Sequence, residues 1–173
     1  MKRALPLVLA LGCAQARPTG AATPVRAGET TSRPDEAATG RVDPAAIGRV
    51  IDDWHAAASR ADEDRYFSYF APGGVFLGTD ATERWEVSAF RAYAHPYFAK
   101  GKAWTMVPSR RNIAVDGDHA WFDEALETSY GPCRGSGVLQ RIGGAWKIAQ
   151  YNLTLTIPNA RVREVQKLLT QPH

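Results

Sequence analysis

Apolar positions first recur with helical spacing at Ile47, Val50, Ile51, Trp54 and Ala58, directly after Asp43-Pro44, an N-cap residue followed by proline where a first helical turn accepts it. A second, short helix is predicted from Asp62, with Glu63 and Asp64 at the positive end of its dipole and Tyr66, Phe67 and Phe70 on its apolar side. Pro72-Gly73-Gly74 stops that helix, and Val75-Phe76-Leu77 reads as a short strand. A third helix is predicted over about Val87 to Lys100, with an apolar stripe of Phe90, Tyr93, Ala94, Tyr97 and Phe98. The pattern then changes to strands: Trp104–Val115, His119–Ser129, Cys133–Ile142 and Ala145–Ile157. Turns at Asp116-Gly117, Gly131-Pro132 and Gly143-Gly144 join them into a four-stranded antiparallel meander, and a last helix follows from about Asn159.

The first 42 residues read differently. Met1-Lys2-Arg3 is basic, Ala4 to Leu11 is apolar, and Ala10-Leu11-Gly12-Cys13 is similar to the lipidation site of a bacterial lipoprotein signal. Residues 14–42 are Ala, Thr, Gly, Pro and Arg with almost no bulky apolar side chain, which predicts a disordered linker. The expected organisation is therefore an export signal over 1–13, a linker over 14–42 and one folded domain over 43–170, held in the exported cell envelope with no membrane contact beyond a lipid on Cys13. Once the signal is removed, Cys133 alone remains and no intrachain disulfide can form.

Composition narrows the partners. Apolar residues make up 45% and charged residues 23%, which allows an ordinary core. The net charge is +3, and +1 once Lys2 and Arg3 are removed, so the chain has no nucleic-acid footprint. Histidines at 55, 95, 119 and 173 lack metal-ligand spacing and no phosphate-binding glycine loop is present, so neither metal nor cofactor is expected.

Two-residue hairpin loops fix which side chains share a face. One face should carry Arg111, Phe122, Glu124, Trp146, Gln150 and Asn152, hollowed at Gly135 and Gly137. Two readings fit its polar groups: a ligand pocket, or a structural network around an Arg111–Glu124 pair. The opposite face should carry Trp104, Met106, Trp121 and Tyr151, with Arg110 across from Asp123; so much aromatic surface predicts a homodimer through this outer face. Between strand and third helix, Gly78 to Trp85 gathers two acids, a base and a tryptophan at a rim.

Several segments together resemble the SnoaL-like branch of the nuclear transport factor 2-like superfamily over Asp43 to Asn159: Ala71 to Phe76, Gly78 to Trp85, Ala120 to Glu124, Gly135 to Leu139 and Trp146 to Ile148. The resemblance implies an α+β cone of curved antiparallel sheet, the meander plus a short early strand, closed by three N-terminal helices and followed by a short C-terminal one. It also implies an unknown small-molecule ligand and, in catalytic members, isomerase, dehydratase or cyclase chemistry on a carbonyl compound; others only bind ligands or assemble complexes. In ketosteroid isomerases an aspartate is the base and acidic donors stabilise the enolate. On that pattern Asp80 is the expected base and Glu124 a protonated donor. Arg111, Gln150 and Asn152 would orient the substrate between walls of Trp85, Phe122 and Trp146. The alternative is a non-catalytic dimerisation module with a filled core. His55 reads as a solvated or internally satisfied side chain and His95 as a rim residue.

Overall fold

A computed structural model of the chain describes residues 43–170. The predicted signal, Cys13 and linker lie outside the described residues. Helix α1 spans Pro44–Ser59, with the Asp43 carboxylate accepting from the Ala45 amide at 2.9 Å. After a left-handed Ala61 (φ 54°), Asp62 caps α2, Glu63–Ser68, by accepting from the Arg65 amide at 3.1 Å. These short polar side chains satisfy amides that a helix leaves without partners, so both starts fall where the sequence places them.

Strand β1 spans Phe70–Leu77, β2 Arg84–Glu86, and α3 Val87–Ala99. The meander follows as β3 Met106–Asp116, β4 His119–Thr128, β5 Gly131–Ile142 and β6 Ala145–Leu155. A 3₁₀ turn at Asn159–Arg161 leads into α4, Val162–Leu169, which buries no side chain. The six strands form one mixed sheet in the order β2-β1-β6-β5-β4-β3, with β1 parallel to β6 and every other pair antiparallel.

Two differences from the expected architecture concern the edge of the sheet. Pro72-Gly73-Gly74 does not stop a helix; it lies within β1, where the register to β6 shifts between Phe70 and Val75. Gly78 to Trp85 is not a loop leading straight into a helix. The Gly78 amide donates to the Glu83 carbonyl at 2.8 Å, and Arg84 to Glu86 return as a sixth strand along β1. A three-residue strand has too few positions for an alternating pattern to emerge.

Helices α1 to α3 cover one face of the sheet, and the core between them is largely aromatic. Trp54 of α1 stacks on Tyr66 of α2 (ring centroids 5.1 Å) and meets Tyr151 of β6 edge-on at 4.6 Å. Phe90 of α3 stacks on Phe76 of β1 at 4.0 Å. Burying side chains of this size stabilises the fold by roughly 1.5–3 kcal/mol each.

The register differs from the expected one in instructive ways. The β5–β6 hairpin turns at Gly143-Gly144 as the sequence predicts, pairing Ile142 with Ala145 and Leu139 with Ile148. A bulge at Ala149 then pairs Val138 with Gln150, so the rest of β6 is turned over. Tyr151 and Leu153 are buried, whereas Gln150 faces solvent and Asn152 lies on the outer face. A second bulge at Ser109 brings Met106 inside and leaves Val107 outside. Gly117, at φ 55°, takes the first loop position rather than the second, so Asn112, not Arg110, faces Asp123. The Asn112 amide donates to that carboxylate at 3.2 Å. The middle hairpin turns at Ser129-Tyr130, with Gly131-Pro132 opening β5.

Candidate functional site

Glu124, on the inner face of β4, is 1% exposed and saturated with partners. His55 Nε2 lies 2.7 Å from its Oε1, Arg111 Nε donates to Oε2 at 2.9 Å, and the Tyr151 hydroxyl donates to Oε1 at 3.2 Å. Arg111 also donates to the Asp52 carboxylate at 2.7 Å and the Gly48 carbonyl at 3.2 Å, tying β3 to α1. Burial pushes the Glu124 carboxyl up, but the hydrogen bonds and charges of His55 and Arg111 outweigh it and hold the carboxyl below its usual range. Glu124 is therefore ionised and can only accept hydrogen bonds, not donate one to a substrate as expected. Of the two readings of the polar inner face, this geometry is the structural network.

The glycines expected to hollow the sheet are filled instead. A Cβ at Gly135 would collide with the Tyr151 hydroxyl and approach Glu124 Oε1 to 2.8 Å; one at Gly137 would meet the Phe122 ring at 2.8 Å. Both are small so that a large neighbour can occupy the space.

The open space lies elsewhere, at the rim. A cavity of about 310 Å³, open to solvent on one side, is bounded by the ends of β1 and β6, the Gly78–Trp85 turn, α3, the segment entering β3 and the β4–β5 turn. Its walls are mainly Phe76, Trp85, Phe90, Tyr93, Tyr97, Trp104 and Tyr130, with Met106 and Leu153. Its polar side chains are Thr79, Glu83, Ser129 and the tyrosine hydroxyls. Trp85 stacks with Phe90 at 5.6 Å and Tyr93 at 4.7 Å, continuing the core stack outward. Glu83 folds over Gly78, where a Cβ would collide with its carboxylate, and its Oε2 accepts from the Asp80 amide at 3.2 Å.

Among the expected site residues, Trp85 alone is on this cavity. Asp80 is exposed and turned away: its carboxylate accepts from the Thr82 hydroxyl at 2.6 Å and the Thr82 amide at 2.8 Å. Those two bonds hold the Asp80 carboxyl below its usual range. Phe122 packs 6.0 Å from Tyr151 in the core, and Trp146 lies near the other end of the sheet under Arg141. Gln150 and Asn152 are outside because of the Ala149 bulge, and Arg111 serves the buried network.

The expected dimer face changes as well. Tyr151 is fully buried, and Trp104 is half-buried against Tyr66 and Phe98, so Trp121, 51% exposed, is the outer-face aromatic that remains.

Sequence reasoning missed Glu83, and of the two readings of His55 the structure gives the internally satisfied one, against Glu124. Nothing in Asp80-Ala81-Thr82-Glu83 tells which acid faces inward. His55 sits four residues after Ile51, and that spacing was a signal for the buried stripe. His95 lies exposed on α3, with Nδ1 2.8 Å from Glu63. Among the described residues no cluster of three or more His, Cys, Asp or Glu is placed to hold a metal, and no helix is long and apolar enough to cross a membrane.

Solved structures share this fold. A nuclear transport factor 2-like protein from Pseudomonas putida superposes with a TM-score of 0.58 at 14% identity, covering 67% of this chain and 88% of that one. A candidate dehydratase of the same family from Streptomyces avermitilis gives 0.57 at 14% identity, over 67% and 97% of the two chains. A candidate calcium/calmodulin-dependent kinase II association domain from Xanthomonas campestris gives 0.53 at 20% identity, over 70% and 92%. No curated protein sequence matches. The SnoaL-like domain model matches residues 47–158, from the first inward residue of α1 to the end of the meander, and the chain belongs to that family.

Proposed function

We propose that this domain binds a small organic molecule in the rim cavity bounded by Gly78–Trp85, α3 and the β4–β5 turn. The observation that carries the reading is the cavity itself: about 310 Å³ with aromatic walls, at the low end of the roughly 300–1,000 Å³ usual for ligand sites. A module with a filled core would close that space. A few polar groups on apolar walls, Thr79, Glu83, Ser129 and the tyrosine hydroxyls, are the usual composition of a site that orients a ligand.

Proton transfer on a bound carbonyl compound, as in isomerases, dehydratases and cyclases of this superfamily, is a second reading favoured by one observation. Glu83 is the carboxylate on the cavity wall, whereas Asp80 is held by Thr82 and Glu124 by its buried partners. On this reading Glu83 is the base.

Native mass spectrometry of the purified full chain tests the binding reading, together with an NMR screen that follows the indole N–H signals of Trp85 and Trp104. A retained mass, or compounds that shift these two signals in the wild type but not in the cavity-filling Leu153→Trp variant, is the expected result. A chain that carries nothing and a broad panel that leaves both signals in place would sink it.

A further inference from the structure

We propose that the rim cavity is a cation site, taking an organic ligand with a substituted ammonium group against the Glu83 carboxylate and the aromatic wall of Trp85, Tyr93, Tyr97 and Tyr130. The inference rests on the binding reading above and names its ligand class.

Charge on the cavity wall favours a cation. Glu83 is the one formally charged side chain on the cavity wall, which includes no Lys, Arg or His. Other carboxylates withdrawn from solvent in this domain are satisfied internally: Asp53 by Arg65, Glu63 by Arg91, Glu124 by Arg111 and His55, and Asp123 by Asn112. The Glu83 carboxylate accepts only from the Asp80 amide and makes no ion pair among the described residues, although Arg84 is its neighbour in sequence. A half-buried carboxylate without a cation, facing an apolar-walled space, attracts positive charge and repels anions.

The aromatic rings favour the same ligand. Trp85 and Tyr93 stack at 4.7 Å and Tyr97 lies 5.7 Å from Tyr93, tilted by 45°, so the three rings form one continuous aromatic wall of the cavity. Tyr93, Tyr97 and Tyr130 are 47%, 45% and 71% exposed, so the core does not account for them. The Tyr93 hydroxyl is pushed up to about 12, first by its hydrogen bond to Tyr97, then by burial and the charges of Tyr97, Glu83 and Tyr130. Aromatic faces around a cation with a carboxylate behind them form the arrangement that holds quaternary ammonium groups. At faces as exposed as these, each ring contributes roughly two- to fivefold in affinity.

NMR titration of the full chain with three probes of nearly equal shape tests this: choline, its neutral carbon isostere 3,3-dimethylbutanol, and the anion 3,3-dimethylbutanoate. Choline should shift the Trp85 and Trp104 indole signals with at least about tenfold higher affinity than the isostere, and the anion should be weakest. Glu83→Gln should erase the preference for choline. Tyr130→Leu, at an exposed position that folding does not need, should weaken choline severalfold and leave the isostere nearly unchanged. An isostere that binds as well as choline, or a choline preference that survives Glu83→Gln, overturns the cation site while leaving the binding reading intact. If none of the three probes shifts either signal, the cation site falls alone, because the retained-ligand measurement judges the binding reading separately.

Discussion

Two carboxylates in this domain stand in opposite circumstances. Glu124 is fully enclosed and receives His55, Arg111 and Tyr151; Glu83 lies at the cavity wall and receives a single amide. Both belong to segments that carry the family likeness, but in the sequence only Glu124 reads as a candidate acid, with Asp80 standing where the structure puts Glu83. The difference lies in what each has left to offer. A carboxylate whose oxygens are already engaged holds secondary structure together, here β3 and β4 to α1 and β6. One with free acceptor capacity beside open space can receive a ligand.

Substitution should separate the two most clearly through stability. Replacing Glu124 with Leu leaves the Arg111 and His55 polar groups enclosed without their acceptor, and should cost about 3–5 kcal/mol in chemical denaturation. A loss under about 1 kcal/mol would place Glu124 outside the structural network.

Acid titration offers a second, more graded contrast. The folded Glu124 carboxyl titrates below its ordinary value of 4.5, so its stabilising contribution is complete above that pH. As pH falls below about 4.5, the unfolded chain takes up the proton first and the contribution is lost progressively through the lower folded pKa. Wild-type stability should therefore fall more steeply than that of Glu124→Gln in this range. Parallel acid limbs in pH-dependent denaturation curves would remove the argument.

The smallest stability effect belongs to Glu83→Gln, expected within about 0.5 kcal/mol of wild type in the absence of ligand. A large loss in a thermal melt would mean that the Glu83 contact over Gly78 is needed to shape the turn, and the contrast with Glu124 would blur.

Local chemistry made much of the fold legible. Asp43-Pro44 and Asp62 cap helices where the sequence puts them, and Gly143-Gly144 closes its hairpin in the expected register. The family signature segments then gave the sheet-and-helix architecture that the SnoaL-like match supports. The candidate site was harder to read because it depends on single-residue events. The bulges at Ser109 and Ala149 leave no mark in an alternating pattern, since either parity of β6 would bury some apolar residues. Choosing between Asp80 and Glu83 depends on a turn whose backbone bond, Gly78 to Glu83, no periodicity encodes.

The Ala149 bulge acts on β6 much as a frameshift acts on a message. Upstream of it Trp146 and Ile148 are read inward; downstream the other phase is read, so Tyr151 and Leu153 enter while Gln150 and Asn152 are left outside. Restoring the uninterrupted phase would exchange an aromatic hydroxyl for two amides at the heart of the cone without altering any of those residues. In this fold, the chemistry offered to the interior is set by the count of residues in a strand as much as by their identity.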